Sequence, residues 1–178
     1  MYNIKTSIKP KNLNSISNSQ IEDHWKLYEG YVKQVNQIIK TNENRHMLSF
    51  ELNGLLLHEL YFENLGKHTK LPENSSLKTA ILKTWGSIKK WEDDFIKTGL
   101  SRGIGWAILY TNKASGNLFN IFVKNHENGH PAGLTPLLVM DVWEHAYMVD
   151  HNANGRKDYI AAFMKNVRWD IIEKRFNS

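Results

Sequence analysis

A chain of 178 residues, 41% hydrophobic, can bury about two-thirds of its unfolded surface, enough for one domain or two tightly associated halves. It has no cysteine, which excludes disulfides, iron–sulfur clusters, thiolate zinc sites and a cysteine nucleophile. Its net charge of +5 is spread along the chain, which favours steering of small anions over nucleic-acid binding, and no apolar run reaches the ~18 residues of a membrane span. The first residues, Met-Tyr-Asn-Ile-Lys-Thr-Ser, lack the apolar core of a signal peptide. The expectation is a cytoplasmic protein without nucleic-acid or membrane partners.

In chain order, residues 1–19 are polar, contain Pro10 and read as an extended arm. A helix is expected from Ser19 as N-cap, with Glu22 three residues on, to about Thr41. Ile21, Trp25, Tyr28, Val32, Val35, Ile38 and Ile39 give it one apolar face, with His24 beside that stripe. After a short turn at Asn42 to Asn44, a second helix from about His46 to Asn64 carries His58 among leucines, so the two should form an antiparallel hairpin. Gly66 to Ser76 reads as a linker. Leu77 to about Leu100 reads as helix in two pieces broken at Gly86-Ser87, and Lys89-Lys90 and Asp93-Asp94 as its solvated face. Strands follow at Ile104 to Tyr110, Leu118 to Lys124 and Leu137 to Val142, then one last helix from Asp158 to about Phe176. The fold class is α+β: an N-terminal antiparallel helical hairpin plus a C-terminal α/β half with a small three-stranded antiparallel sheet. Three units are expected: arm 1–19, hairpin 20–70 and C-terminal α+β domain 71–178.

Asp141-Val142-Trp143-Glu144-His145-Ala146-Tyr147 concentrates an acid, an imidazole four residues later, a second acid and two aromatics behind an apolar run. Carboxylate and imidazole are ligands for a transition metal, and apolar neighbours keep such a site dry. His24 and His58 lie one on each hairpin helix, where each alone reads equally as a hydrogen-bonded core histidine. If the hairpin packs against the end of the last strand, three imidazoles and one carboxylate converge, a set that suits iron, manganese or zinc on ligand type alone.

The seven-residue motif matches the signature of the iron/manganese superoxide dismutases, a family this chain also resembles at Ile21-Glu22-Asp23-His24, Tyr31-Val32, His58-Glu59-Leu60-Tyr61-Phe62, Trp85-Gly86-Ser87-Ile88, Gly103-Ile104-Gly105-Trp106 and Arg156-Lys157-Asp158-Tyr159. The resemblance implies disproportionation of superoxide by one iron or manganese ion per subunit. It implies metal ligands His24, His58, Asp141 and His145, with a fifth position left to a solvent molecule. It makes Tyr31 the substrate-funnel tyrosine and Trp106 and Trp143 pocket walls, with Tyr147 and Arg156 around them. Glu144 is implied to reach across a homodimer to the partner's ligand histidine.

Departures from the family pattern are informative. The glutamine that usually hydrogen-bonds the metal's solvent is replaced at its helix position by Gly54, while the sheet position falls on His126, read as its substitute and as a source of pH dependence. The bland alternative is a surface loop histidine beside His130. A gateway histidine and its tyrosine partner become Leu27 and Met148, which loses both polar groups together. Arg168 stands where the family prefers asparagine, with no consequence that follows from chemistry. Gly54 resembles the manganese pattern and Val139 the iron pattern, with a slight lean to iron. Two rivals remain at this point: a non-haem iron oxygenase, disfavoured because three histidines are available rather than two, and a non-catalytic metal-binding relative. His46, His68, His130 and His151 have no partners at ligand spacing and are expected to be exposed.

Overall fold

The computed structural model describes residues 1–178. Its elements run α1 (Asn18–Thr41), α2 (Leu48–Asn64), α3 (Ser76–Trp85), α4 (Ile88–Gly99), β1 (Gly105–Thr111), β2 (Leu118–Lys124), β3 (Thr135–Asp141), α5 (Arg156–Met164) and α6 (Trp169–Asn177). The hairpin of α1 and α2 and the antiparallel sheet, ordered β2–β1–β3, are those expected from the sequence.

Helix α1 begins two residues earlier than expected. The backbone of Ser17 is extended, so its hydroxyl can accept the Gln20 amide and cap the helix, while Ser19 falls inside the first turn. Ile21, Trp25, Tyr28, Val32, Val35 and Ile38 form the buried face; Ile39 is exposed instead. The arm is not simply extended. It makes a 3-10 turn at Thr6–Ile8, and the Lys5 amide donates to the Tyr28 hydroxyl at 3.0 Å. The Lys5 ammonium pairs with Glu59 at 2.6 Å, and Ile16 enters the core.

The helical break at Gly86-Ser87 falls where expected: Gly86 takes φ +79° and the Ser87 hydroxyl caps α4 through the Lys90 amide. The single closing helix is a miscount, because residues 165–168 separate α5 from α6. Asn166 is the cause. Its buried amide donates to Ala162 O and Asn14 O and accepts the Asn14 amide, while the Arg168 amide turns aside to Asn64 O.

Central strand β1 is buried throughout. It can enter the sheet so closely because Gly105, at φ +148°, has no Cβ; one there would stand 2.0 Å from Val123 O. The register sets Trp106 opposite Asp141 on β3 and Val123 on β2. One continuous cluster of buried side chains joins the hairpin to the sheet, so residues far apart in sequence meet where α1, α2 and the end of β3 converge.

Candidate metal centre

The four residues singled out by sequence come together. His24 projects from the buried face of α1 and His58 from α2; Asp141 ends β3, and His145 lies in the 3-10 turn Glu144–Ala146 that follows. Their four donor atoms lie within 4.8 Å of one another. The Asp141 Oδ2 is the common neighbour, 3.1 Å from His24 Nε2, 3.1 Å from His145 Nε2 and 3.7 Å from His58 Nε2.

His58 shows that this cluster fits a cation. Its Nδ1–H donates to the Gly54 carbonyl at 2.6 Å, which fixes the tautomer and leaves Nε2 as a bare lone pair. That atom is buried and has no hydrogen-bond partner. A buried acceptor aimed at two more imidazoles and a carboxylate is what a metal needs and what a packed core avoids. Burial also pushes the pKa of His24 down and that of His58 well down, favouring the neutral, ligating form. For Asp141 burial alone acts upward, but His145 and His24 together hold it well below the usual carboxylate range. Its other oxygen accepts the Trp143 amide at 2.8 Å, and its carbonyl accepts the Tyr159 hydroxyl at 2.8 Å.

His126 is no surface residue. It is fully buried, in the turn after β2, with its ring centre 6.0 Å from that of His58. The Trp106 indole N–H donates to Nδ1 at 3.1 Å. Because an indole can only donate, the network assigns the proton to Nε2, which then donates to the Tyr31 hydroxyl at 2.7 Å. Trp143 stacks on His126 at 4.9 Å and on His145 at 5.7 Å, and Phe50 stands edge-on at 4.6 Å. Trp106, edge-on to His58, completes an aromatic wall that keeps water out.

The Tyr31 ring fills the space over Gly54, where a Cβ would lie 2.7 Å from its ring carbons. Glu144 is exposed. Tyr147 is buried and stacks on Tyr159 at 5.4 Å. Arg156 donates to Gly103 O at 2.7 Å, and its Nε and Nη2 are buried without partners. Leu27 and Met148 are both exposed. His46 and His68 are exposed as expected, but His130 and His151 are half-buried. His130 accepts from or donates to three-dimensional neighbours that ligand spacing does not test: the Tyr110 hydroxyl at 2.8 Å and the His126 carbonyl at 2.9 Å.

Sequence reading misses Gln20, which is fully buried. Its amide donates to the His145 carbonyl at 2.7 Å, and its oxygen accepts the Val149 amide at 3.0 Å. It thereby ties the ligand turn to α1. Its only signal is a glutamine at an apolar-face position, one before Ile21.

A helical hairpin and a small sheet that converge three imidazoles and one carboxylate on a dry point define a candidate site for a single metal ion. Residues 72–175 match the C-terminal domain of the iron/manganese superoxide dismutases. The iron superoxide dismutase of Aquifex aeolicus is 36% identical over 97% of this chain and 89% of its own length. That of Cupriavidus metallidurans is 34% identical over 99% and 96%, and the manganese superoxide dismutase of Mycolicibacterium smegmatis is 32% identical over 86% and 80%. The chain belongs to the iron/manganese superoxide dismutase family.

Proposed function

We propose that His24, His58, Asp141 and His145 hold one iron or manganese ion and that the chain uses it to disproportionate superoxide to dioxygen and hydrogen peroxide. The observation that carries this reading is the convergence of the four donor atoms within 4.8 Å around the partnerless lone pair of His58. Held by His24, His58, Asp141 and His145, the metal would supply the reversible one-electron chemistry by which one superoxide is oxidised to dioxygen and a second, taking two protons, is reduced to hydrogen peroxide.

The chain supplies the rest. His126 and Tyr31 are assigned to proton handling and to tuning: the imidazole is neutral and presents an N–H beside the ligand cluster, and the phenol is held against it at 2.7 Å. Burial raises the pKa of Tyr31, so its hydroxyl keeps its proton for delivery rather than ionising. Trp106, Trp143 and Phe50 exclude bulk water. Tyr147 packs beneath the ligand turn, Arg156 braces the chain at Gly103, and the positive net charge draws the anionic substrate. Leu27 and Met148 leave no polar gateway pair, which confines proton entry to Tyr31 and water.

Iron is favoured over manganese by the bulk of buried Val139 before Asp141 and by the iron named in two of the relatives above. A homodimer through Glu144 and the open edge of His145, a cytoplasmic location, and a division into arm 1–19, hairpin 20–70 and domain 71–178 complete the reading. No helix is long and apolar enough to cross a membrane.

The test is to load the purified chain separately with iron and manganese and to assay superoxide removal per metal ion, with His58→Ala in parallel. Turnover with at least one metal, and loss of metal from the variant, is expected. Full occupancy without turnover would leave a non-catalytic metal protein and end the proposal.

A further inference from the structure

The turn that carries His126 has little regular structure to hold it. Residues 125–134 link β2 to β3, with positive φ at Asn125, Gly129 and Gly133, and their main-chain hydrogen bonds are those between Lys124 and Asn128 and one from Leu134 to Pro131 O. Yet His126 is gripped at both ends by one strand. Trp106 and Tyr110, four apart on the regular β1–β2 ladder, project from the same face of β1. The Trp106 indole holds the His126 ring. Tyr110 reaches the His126 main chain through His130, whose Nδ1 lies 2.8 Å from the Tyr110 hydroxyl and whose Nε2 lies 2.9 Å from the His126 carbonyl.

The polarity of that second grip follows from the groups. A carbonyl can only accept, so His130 Nε2 carries the proton; Nδ1 is then the acceptor, and the Tyr110 hydroxyl donates to it. Each polar atom of His130 is thereby used. Neither the tyrosine nor the second histidine touches the ligand cluster, so packing around a metal gives no reason for them.

We propose that His130 is a positioning residue: with Tyr110 behind it, it fixes the carbonyl of His126 and so sets the direction in which the His126 Nε2–H points. This rests on the assignment of His126 above as the group that tunes the metal. Trp106, Tyr31 and Trp143 hold the His126 ring, but none of them holds the main chain from which it springs. The His130 contact anchors that main chain, in the way outer partners orient metal-site groups elsewhere.

The experiment compares the metal-loaded wild type with His130→Ala, His130→Gln, Tyr110→Phe, His126→Ala and the double variant His126→Ala/His130→Ala. Metal content, melting temperature, turnover per metal and the midpoint potential of the metal are measured on each. His130→Ala is expected to keep its metal, to lose about tenfold in turnover and to shift the potential. His130→Gln, whose amide can donate to the carbonyl and accept from Tyr110, should recover most of both. Tyr110→Phe should move both readouts in the same direction by less. In the double variant, His130→Ala should cost nothing beyond His126→Ala.

The proposal fails if His130→Ala and Tyr110→Phe leave turnover and potential unchanged, or if the two alanine effects add. Should His130→Ala not fold, Tyr110→Phe and His130→Gln decide by the same readouts. If His126→Ala itself changes neither readout, the tuning role of His126 has failed and this one with it; an impaired His126→Ala beside silent His130 and Tyr110 variants overturns the positioning role alone.

Discussion

A methyl group at Gly54 would stand 2.7 Å from two ring carbons of Tyr31, closer than carbon atoms approach without displacement. The Gly54 carbonyl also fixes the His58 tautomer, so one residue without a side chain positions both Tyr31 and His58. Gly54→Ala is expected to retain metal, to lose about 1–3 kcal/mol of stability by overpacking, and to lower turnover as Tyr31 leaves His126; thermal melts and turnover per metal would show it. His126 supplies a pH prediction. Burial pushes its pKa down to about 4, so it stays neutral at physiological pH, and the pH dependence expected from sequence falls in the acid range. The unfolded chain binds the proton first, near pH 6.5. The contribution of His126 to stability is therefore complete above that pH and is lost as pH falls from about 6.5 toward 4, by about 3 kcal/mol in all. Denaturant unfolding of wild type and His126→Gln at pH 7 and pH 4.5 should show a steeper acid loss in the wild type. The four proposed ligand residues were legible because the resemblance of Asp141 to Tyr147 to the family signature picked them out together; His24 or His58 alone on an apolar face reads equally as a core histidine. Gln20 and His130 were not, because they bind main-chain groups that no side-chain spacing reveals, and Tyr110 was not, because its partner is His130, twenty residues away.

At the scale of elements, the site depends on how α2 lies against β3, since these carry His58 and Asp141. Asn64 at the end of α2 donates to the Val139 carbonyl at 2.6 Å, and Arg175 on α6 bolts the two together. Its guanidinium donates to Asn64 Oδ1 and Leu137 O at 2.6 Å, to Leu60 O at 3.2 Å and to Glu63 at 2.5 Å. The planar fork reaches four acceptors from two nitrogens; an ammonium has three donors on one atom and cannot satisfy them all. Arg175→Lys is therefore expected to cost about 2–3 kcal/mol, most of it from acceptors left unpaired inside, measured as a drop in denaturation midpoint with unchanged slope. A lysine variant as stable as wild type would show that packing, not this clasp, docks α6. The helices and strands themselves were readable from periodicity, and the break at Gly86 from its residue type. The split between α5 and α6 was not, because nothing local stops the helix: Asn166 breaks it to bind Asn14, 152 residues away. The cap at Ser17 was displaced to Ser19 for a related reason, since either serine satisfies the local pattern.

The whole molecule leaves one side of its site open. His24, His58 and Asp141 are sealed, whereas the His145 side chain is 24% exposed, and the surface around it carries exposed Met148 and Val149, at 47% and 49%, with Glu144 among them. Two apolar side chains next to an unpaired carboxylate and a half-covered ligand imidazole are costly to leave in water and are suited to an isologous contact, in which each Glu144 meets the other subunit's open histidine edge. Such a contact would complete the hydrogen bonding of His145 as Gly54 does for His58, and would make ligand orientation depend on assembly. Glu144→Ala removes the carboxylate and leaves the imidazole edge without its acceptor; a buried, charge-assisted pair lost from each half of the interface costs about 2–5 kcal/mol. The expected outcome is a wild type that sediments as a dimer at micromolar concentration and a variant that dissociates there, with turnover per metal falling as the dimer is diluted. A wild type that stays monomeric and fully active at every concentration would mean that His145 is oriented from within its own chain, by Gln20 and the stacked Trp143 alone.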